Sequence, residues 1–237
     1  MELNKDLQNL QVLIVDDEPF QRRVLREVLK NLDFRNITEA DSGQTAIKKM
    51  TTQRFDVVLS DVQMPDMNGL ELLRRIRAGN VPTPRDSRFI ILTAFSNTEV
   101  LGAAMTLDVN GFLAKPIRIG VVMEKIKKAV QEKFSLRPEK DYEFVVTDLP
   151  TLDVTRRTVE PAPPSRPSAE DKMEVHAATI LIPLTRLREG MRVAKDVVAT
   201  DGAIIIPAGT KLTQLSLNRL SELSSLLTDN VLHILPP

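Results

Sequence analysis

The chain has 237 residues, 32 Lys and Arg against 32 Asp and Glu, and no cysteine. That length suits one large domain or two modest ones, and 42% hydrophobic with 27% charged residues is ordinary globular composition. Zero net charge offers no overall attraction to nucleic acid or to an anionic membrane surface, and the missing thiols exclude disulfides, cysteine nucleophiles and Cys-ligated zinc. Met1 to Leu10 is polar, with Glu2, Lys5 and Asp6, and does not read as a signal peptide. No run approaches the ~18 apolar residues of a membrane span, so the expected setting is soluble and cytoplasmic, without membrane insertion.

Taken in chain order, short apolar runs alternate with helical patterns as far as Phe134. Val12 to Val15, a weaker run at Ile37 to Ala40, Val57 to Leu59, Phe89 to Leu92 and Gly111 to Ala114 are each bounded by turn-forming residues. Each reads as a buried strand. Between them, Phe20, Val24, Leu25, Val28, Leu29 and Leu32 recur at helical spacing, as do Leu70, Leu73 and Ile76, and then Val122, Ile126, Ala129 and Val130. Five strands alternating with five helices predict an α/β domain with a five-stranded parallel sheet covered on both faces. Ala78 to Arg88, with two prolines, reads as a loop.

From 135 to 178 the texture changes to a Pro-rich linker, with Pro138, Pro150, Pro161, Pro163, Pro164 and Pro167. Glu160 to Glu174 is expected to be disordered or polyproline-like, and Tyr142 to Val146 is apolar enough to dock on a neighbour. Order is expected again over 179–237, as a small α+β module. Ile180 to Ile182 reads as a strand, Thr200-Asp201-Gly202 as a hairpin turn between two β-rich runs, Thr213 as the cap of a helix from Gln214 to Leu223, and Val231 to Leu235 as a last strand. The expected domains are therefore 1–134, the linker 135–178, and 179–237.

Chemistry gathers at the strand ends. Asp16 and Asp17 follow the first strand and Asp61 follows the third. In a parallel α/β sheet the carboxyl ends of the strands share one edge, so these carboxylates should converge, where their repulsion raises pKa values or calls for a cation. A small all-oxygen set suits Mg²⁺. Thr93 ends the fourth strand and Lys115 the fifth, placing a hydroxyl and an ammonium where they could hold phosphoryl oxygens.

Through Val15-Asp16-Asp17-Glu18, Asp61-Val62-Gln63-Met64-Pro65-Asp66-Met67-Asn68-Gly69, Leu92-Thr93-Ala94 and Gly111-Phe112-Leu113-Ala114-Lys115-Pro116, the chain resembles the response-regulator receiver family of two-component signalling. The resemblance implies a flavodoxin-like (βα)5 fold with Asp61 as phospho-acceptor, and it makes the protein a phosphoacceptor rather than an enzyme. Asp17 would ligate Mg²⁺ directly, Asp16 largely through water, and the Gln63 carbonyl would complete the protein ligands. Thr93 would be the switch hydroxyl, Phe112 the switch aromatic and Lys115 the partner of the phosphoryl group, with a cis Lys115-Pro116 peptide. Gln63 and Phe95, two residues beyond Asp61 and Thr93, would influence the lifetime of the acyl phosphate. The implied partners are a sensor histidine kinase or phosphotransfer protein and a downstream protein, with the fourth helix, fifth strand and fifth helix as the candidate homodimer face.

After the linker there is no helix-turn-helix candidate and no basic stripe, which argues against DNA. The run Leu187 to Val197, then Asp201-Gly202, then Ile206 to Thr213, resembles the small module that precedes HD-GYP cyclic-di-GMP phosphodiesterase domains. The catalytic domain is expected to be absent: only His176 and His233 occur, neither in a His-Asp pair, and the remaining length to Pro237 leaves no room for it. The module is expected to mediate protein–protein interaction. Two alternatives are a signal integrator whose module binds a small ligand or nucleotide, and an aspartate-nucleophile phosphohydrolase. The latter is disfavoured because Gln63 stands where such enzymes carry a second aspartate.

Overall fold

The computed structural model describes residues 7–94, 97–148 and 179–236. Phe95, His176 and the Pro-rich stretch 160–174 lie outside the described residues.

Alternation of apolar residues builds the first half. Its elements are β1 (Gln11–Val15), α1 (Pro19–Asn31), β2 (Asn36–Ala40), α2 (Gly43–Met50), β3 (Val57–Asp61), α3 (Gly69–Arg77), β4 (Arg88–Thr93), α4 (Thr98–Thr106), β5 (Gly111–Ala114) and α5 (Ile119–Gln131). The five strands form one parallel sheet in the order β2-β1-β3-β4-β5, the doubly wound arrangement of flavodoxin-like folds. Because successive side chains point to opposite faces, Val12, Ile14, Val57, Leu59, Ile90, Leu92 and Leu113 pack with Leu25, Leu29 and Ile126 on one side. Leu13, Val15, Val58, Phe89, Ile91 and Phe112 pack with Leu70, Leu73, Ile76, Leu101 and Ala104 on the other. Asn68 and Asn97 cap α3 and α4 by accepting from the amides of Glu71 and Val100, and Ser42 caps α2 in the same way. Each satisfies one of the orphan donors of a helix N-terminus.

Residues 135–148, counted with the linker from their proline content, pack against the sheet domain. A short helix, α6 (Lys140–Glu143), carries Tyr142 into full burial. Its hydroxyl donates to Asp108 at 2.7 Å and accepts from the Arg137 amide at 2.9 Å, and the Arg137 guanidinium lies 3.1 Å from Asp108. A little further on, Thr147 accepts from the Asn68 side chain at 2.7 Å and donates to Glu71 at 2.9 Å. Prolines set the stiffness of this stretch, but one buried aromatic and a handful of polar ties decide where it lies.

Residues 179–236 form two small antiparallel pairs and a helix. β6 (Ile180–Pro183) pairs with β9 (Val231–Ile234), and β7 (Val197–Val198) with β8 (Ile204–Ile206) across the Asp201-Gly202 turn. Gly202 has φ +88°, the left-handed conformation that glycine adopts without a Cβ penalty. α7 (Gln214–Glu222) opens with a reciprocal capping box between Thr213 and Ser216. The hairpin strands are shorter than the β-rich runs of the sequence predict, because Arg192, Val193 and Ala199 pair as single bridges with other partners.

Burial pushes the Tyr142 phenol well above its ordinary pKa of 10.0, and the neighbouring Asp108 charge and hydrogen bond push it the same way. A group raised in the fold contributes stability that is full below the unfolded value and is lost as pH rises through the folded one. Tyr142 is the single tyrosine of the chain, so its ultraviolet titration is unambiguous. The native phenol should ionise well above pH 10, and Tyr142→Phe should lose about 1–2 kcal/mol in urea unfolding at neutral pH.

Candidate functional site

Four strands of the parallel sheet deliver one functional group each, or a pair, to the same edge. Asp16 and Asp17 leave β1, Asp61 is the last residue of β3, Thr93 is the last of β4, and Lys115 follows β5. Strand register holds them level, with Asp61 opposite Leu92 and Thr93 opposite Ala114. One carboxylate oxygen from each of Asp16, Asp17 and Asp61 lies within 4.8 Å of the others. The Lys115 ammonium is 2.8 Å from Asp61 and 3.3 Å from Asp16. A cleft of about 350 Å³ opens over them, lined by Asp17, Asp61, Gln63, Thr93, Lys115 and the first turn of α4 at Asn97 and Val100. The structure thus brings together Asp16, Asp17, Asp61, Thr93 and Lys115. Gln63 is exposed at the rim, and Phe112 lies fully buried in the core on the α4 side of the sheet.

The carboxylates are held individually. Asp61 accepts from the Val62 amide at 2.7 Å, which leaves its other oxygen for Lys115. Asp16 is 1% exposed and accepts from the Glu18 amide at 2.9 Å. Burial pushes its carboxyl above the ordinary range, Lys115 and the Glu18 amide pull against that, and the Asp61 charge adds to the rise. An oxygen-only cluster with more negative than positive charge fits a hard divalent cation. Asp16, Asp17 and Asp61 are the side chains that could hold it.

The loop from β3 to α3 is locked by its backbone. The Gly69 amide donates to the Val62 carbonyl at 3.0 Å, the Ser60 hydroxyl donates to the Asp61 carbonyl at 2.8 Å, and Asp66 takes φ +64°. Gly69 sits so close to Asp61 that a Cβ there would overlap the Asp61 carbonyl oxygen. The Lys115-Pro116 peptide is cis, as the family resemblance implies.

Sequence reasoning missed three further polar anchors. Arg77 is fully buried and donates to the carbonyls of Ser87 and Asp108 at 3.0 and 3.2 Å, and to the Asn110 side chain at 2.7 Å. The same Asn110 oxygen accepts from the Phe89 amide at 2.8 Å, fixing the turn that leads into β5. Arg219, 1% exposed, reaches Glu132 at 3.2 Å and hydrogen-bonds the Asn110 carbonyl. The available signal is position: Leu70, Leu73 and Arg77 share one helical stripe, as do Leu215 and Arg219, and an arginine on an apolar stripe is either buried and paired or snorkelling.

The first half of the chain is similar to known proteins. Residues 12–127 match the response regulator receiver domain. A probable chemotaxis protein CheY of Rhizobium etli is 38% identical over 127 residues, covering 54% of this chain and 94% of that protein. Chemotaxis protein CheY-3 of Vibrio cholerae is 36% identical over 126 residues, 53% of this chain and 93% of that protein. Among solved structures, the receiver domain of sensor histidine kinase PA1611 from Pseudomonas aeruginosa, determined with a magnesium ion in its active-site cleft, is 26% identical with a TM-score of 0.47. It covers 52% of this chain and 99% of that one.

A methyl group at position 69 has nowhere to go but into the backbone of the acidic loop. Gly69→Ala should lower stability by more than about 2 kcal/mol in urea unfolding. Gly120→Ala meets nothing within 4 Å and lies inside α5, so it should be neutral or stabilising by up to about 1 kcal/mol.

Proposed function

Because this chain belongs to the response regulator receiver family, we propose that it accepts a phosphoryl group on Asp61 from a sensor histidine kinase or phosphotransfer protein and passes the change to the segment beyond the linker. The observation that carries this reading is the gathering of three carboxylates, a hydroxyl and an ammonium at one edge of a parallel sheet. In the transfer, an Asp61 carboxylate oxygen attacks the phosphorus of a phosphohistidine. The new O–P bond forms as the P–N bond breaks, and the electron pair returns to the imidazole. Lys115, already 2.8 Å from Asp61, stays beside the charge that develops on the equatorial oxygens.

Mg²⁺, held by Asp17, Asp61 and the Gln63 carbonyl directly and by Asp16 mostly through water, would supply charge neutralisation that one ammonium cannot. The donor set fits it, since every ligand is oxygen and the carboxylates outnumber the cation. Thr93 is positioned at the cleft wall to donate to a phosphoryl oxygen, and Phe112, two residues before Ala114 in register with Thr93, is the side chain that would respond beneath it. Gln63, exposed at the rim, together with Phe95, would set how fast water reaches the acyl phosphate.

We assign residues 1–134 to the receiver and 179–237 to the output module. The packing of Tyr142 and Thr147 on the receiver supports counting residues 135–148 with it and not with the linker. The output is protein–protein interaction, not DNA binding: Arg219, the arginine of α7, is buried against Glu132 and presents no charge to a phosphate backbone.

Incubation with acetyl phosphate and Mg²⁺ should add one phosphoryl group to the wild-type chain by intact mass, and Asp61→Asn should add none. Labelling of that variant would remove Asp61 from the role. Mg²⁺ alone should raise the thermal midpoint of the wild type through binding to the native state, and Asp17→Asn should lose most of that rise.

A further inference from the structure

β9 is paired on both sides. β6 lies on one side, and residues 192–194 on the other, where the Ala194 amide donates to the His233 carbonyl at 2.7 Å and the Leu235 amide to the Arg192 carbonyl at 2.9 Å. β6 itself pairs with β9 alone among the described residues, so its outer edge is open. In an antiparallel pair, successive residues turn their backbone groups alternately toward the neighbouring strand and away from it. The Leu184 amide donates to the Asn230 carbonyl at 3.0 Å. By register Ile182 and Ile180 also face β9, which leaves the N–H and C=O of Leu181 facing outward. Ile180 and Leu181 are 48% and 60% exposed, and an exposed apolar edge is a template for another strand. Pro183, without an N–H, ends the edge and keeps any added pairing short.

Beside that edge runs a groove of about 680 Å³, floored by Ile180, Ile182, Met191, Ile234 and Leu235. It continues past Leu181 along Pro183 and Leu187. Three arginines line it, Arg186, Arg188 and Arg192, against one carboxylate, Glu189, among the described residues. All three are exposed, unlike Arg77 and Arg219, which are spent on internal partners. Arg192 is steadied by donating to the Gly209 carbonyl at 3.0 Å. A guanidinium offers several donors in a fork that fits a carboxylate. Two copies meeting here would set three arginines against three more, so the charge disfavours self-pairing. The apolar floor offers nothing to a nucleic-acid backbone.

We infer that this groove receives an extended acidic segment of another protein, added as a strand along the outer edge of β6. Its apolar side chains lie on the Ile180–Ile182 floor and its carboxylates meet Arg186, Arg188 and Arg192. In such strand addition the main-chain bonds supply affinity, and the side chains flanking them supply the choice of partner. This names the surface and the partner chemistry for the protein-interaction reading of residues 179–237, and rests on that reading; it needs no phosphoryl chemistry.

The test uses the full chain and a short labelled peptide alternating valine and glutamate. Its controls are the same peptide with lysine for glutamate, the same with serine for valine, and a single-stranded DNA oligonucleotide. The acidic apolar peptide should bind best, more weakly as salt rises, with amide NMR shifts confined to residues 180–192 and 234–236. Arg186→Glu with Arg188→Glu should weaken it by about 10-fold or more and transfer preference to the lysine peptide. Leu181→Pro removes the outward donor and leaves the β6–β9 bonds in place, so it should weaken binding by about 5-fold or more with hydrogen exchange of β9 unchanged. If the proline variant loses that protection, the exposed arginine pair decides alone. No binding of the acidic peptide, equal or tighter binding of the lysine peptide or the DNA, or indifference to the arginine reversal overturns the groove as an acidic-segment site. Undiminished binding by Leu181→Pro with β9 still protected overturns strand addition. Concentration-dependent self-association that Leu181→Pro abolishes assigns the edge to a second copy and overturns the proposal as well. Labelling of Asp61 by acetyl phosphate is measured separately, so failure here leaves the receiver reading standing.

Discussion

Three carboxylates whose oxygens approach within 4.8 Å repel one another by about 3 kcal/mol per ionised pair at an effective dielectric near 20. The parallel sheet forces that proximity, because it delivers the carboxyl ends of β1 and β3 to the same place. Lys115, reaching back from β5 to touch both Asp16 and Asp61, is the counter-charge that lets the cluster persist. Its ammonium lies to one side of the group, so the cluster remains net negative and keeps its appetite for a second cation. The fold therefore stores an electrostatic deficit at the carboxyl edge of the sheet, where the cleft opens.

The sheet domain was largely legible in the sequence, and the reason is periodicity. Strands buried on both faces read as continuous apolar runs, as in Val12 to Val15 and Phe89 to Leu92, and helices read as stripes of period 3.6. The site was legible because backbone topology, and not side-chain packing, brings Asp16, Asp17, Asp61, Thr93 and Lys115 together; once the strands are parallel, position along the chain determines position in space. Composition was a mixed guide to residues 135–148: the apolar run Tyr142 to Val146 marked a docking segment, yet Tyr142 is buried while Phe144 and Val146 stay exposed. Prolines mark the absence of helix and sheet, but they carry no information on whether Tyr142 finds a partner, and the partner is a carboxylate, Asp108, 34 residues earlier in the chain.

Buried cations were the least legible feature. Arg77 and Arg219 each occupy a place on an apolar helical stripe, where local pattern offers two readings of equal merit: a long side chain snorkelling to water, or a charge paired inside. Choosing between them requires knowing what lies across the interface. For Arg77 the answer is a ring of carbonyls and Asn110. For Arg219 it is Glu132 and the carbonyl of that same Asn110. One asparagine at the entry to β5 thus receives an arginine from α3 through its side chain and another from α7 through its backbone. Breaking either pair strands a buried charge, which costs far more than forming the pair gains. Such contacts specify an arrangement more than they stabilise it.

Two glycines bring backbone against backbone, one beside the acidic cleft and one where the C-terminal segment meets the sheet domain. At Gly69 the helix α3 begins against the carbonyl of Asp61, and at Gly102 the helix α4 passes against the carbonyl of Ile204. In each case backbone meets backbone, with no side chain between to absorb a displacement. Packed interiors accommodate small shifts through flexible side chains; where carbonyls and α-carbons are in direct contact, a shift passes on undiminished or the contact opens. Thr93 and Thr98 stand at the two ends of the short connection between β4 and α4, one facing the acidic cleft and the other bonded to Asp201. Rigidity at these two points fixes α3 against the acidic loop and α4 against the C-terminal segment.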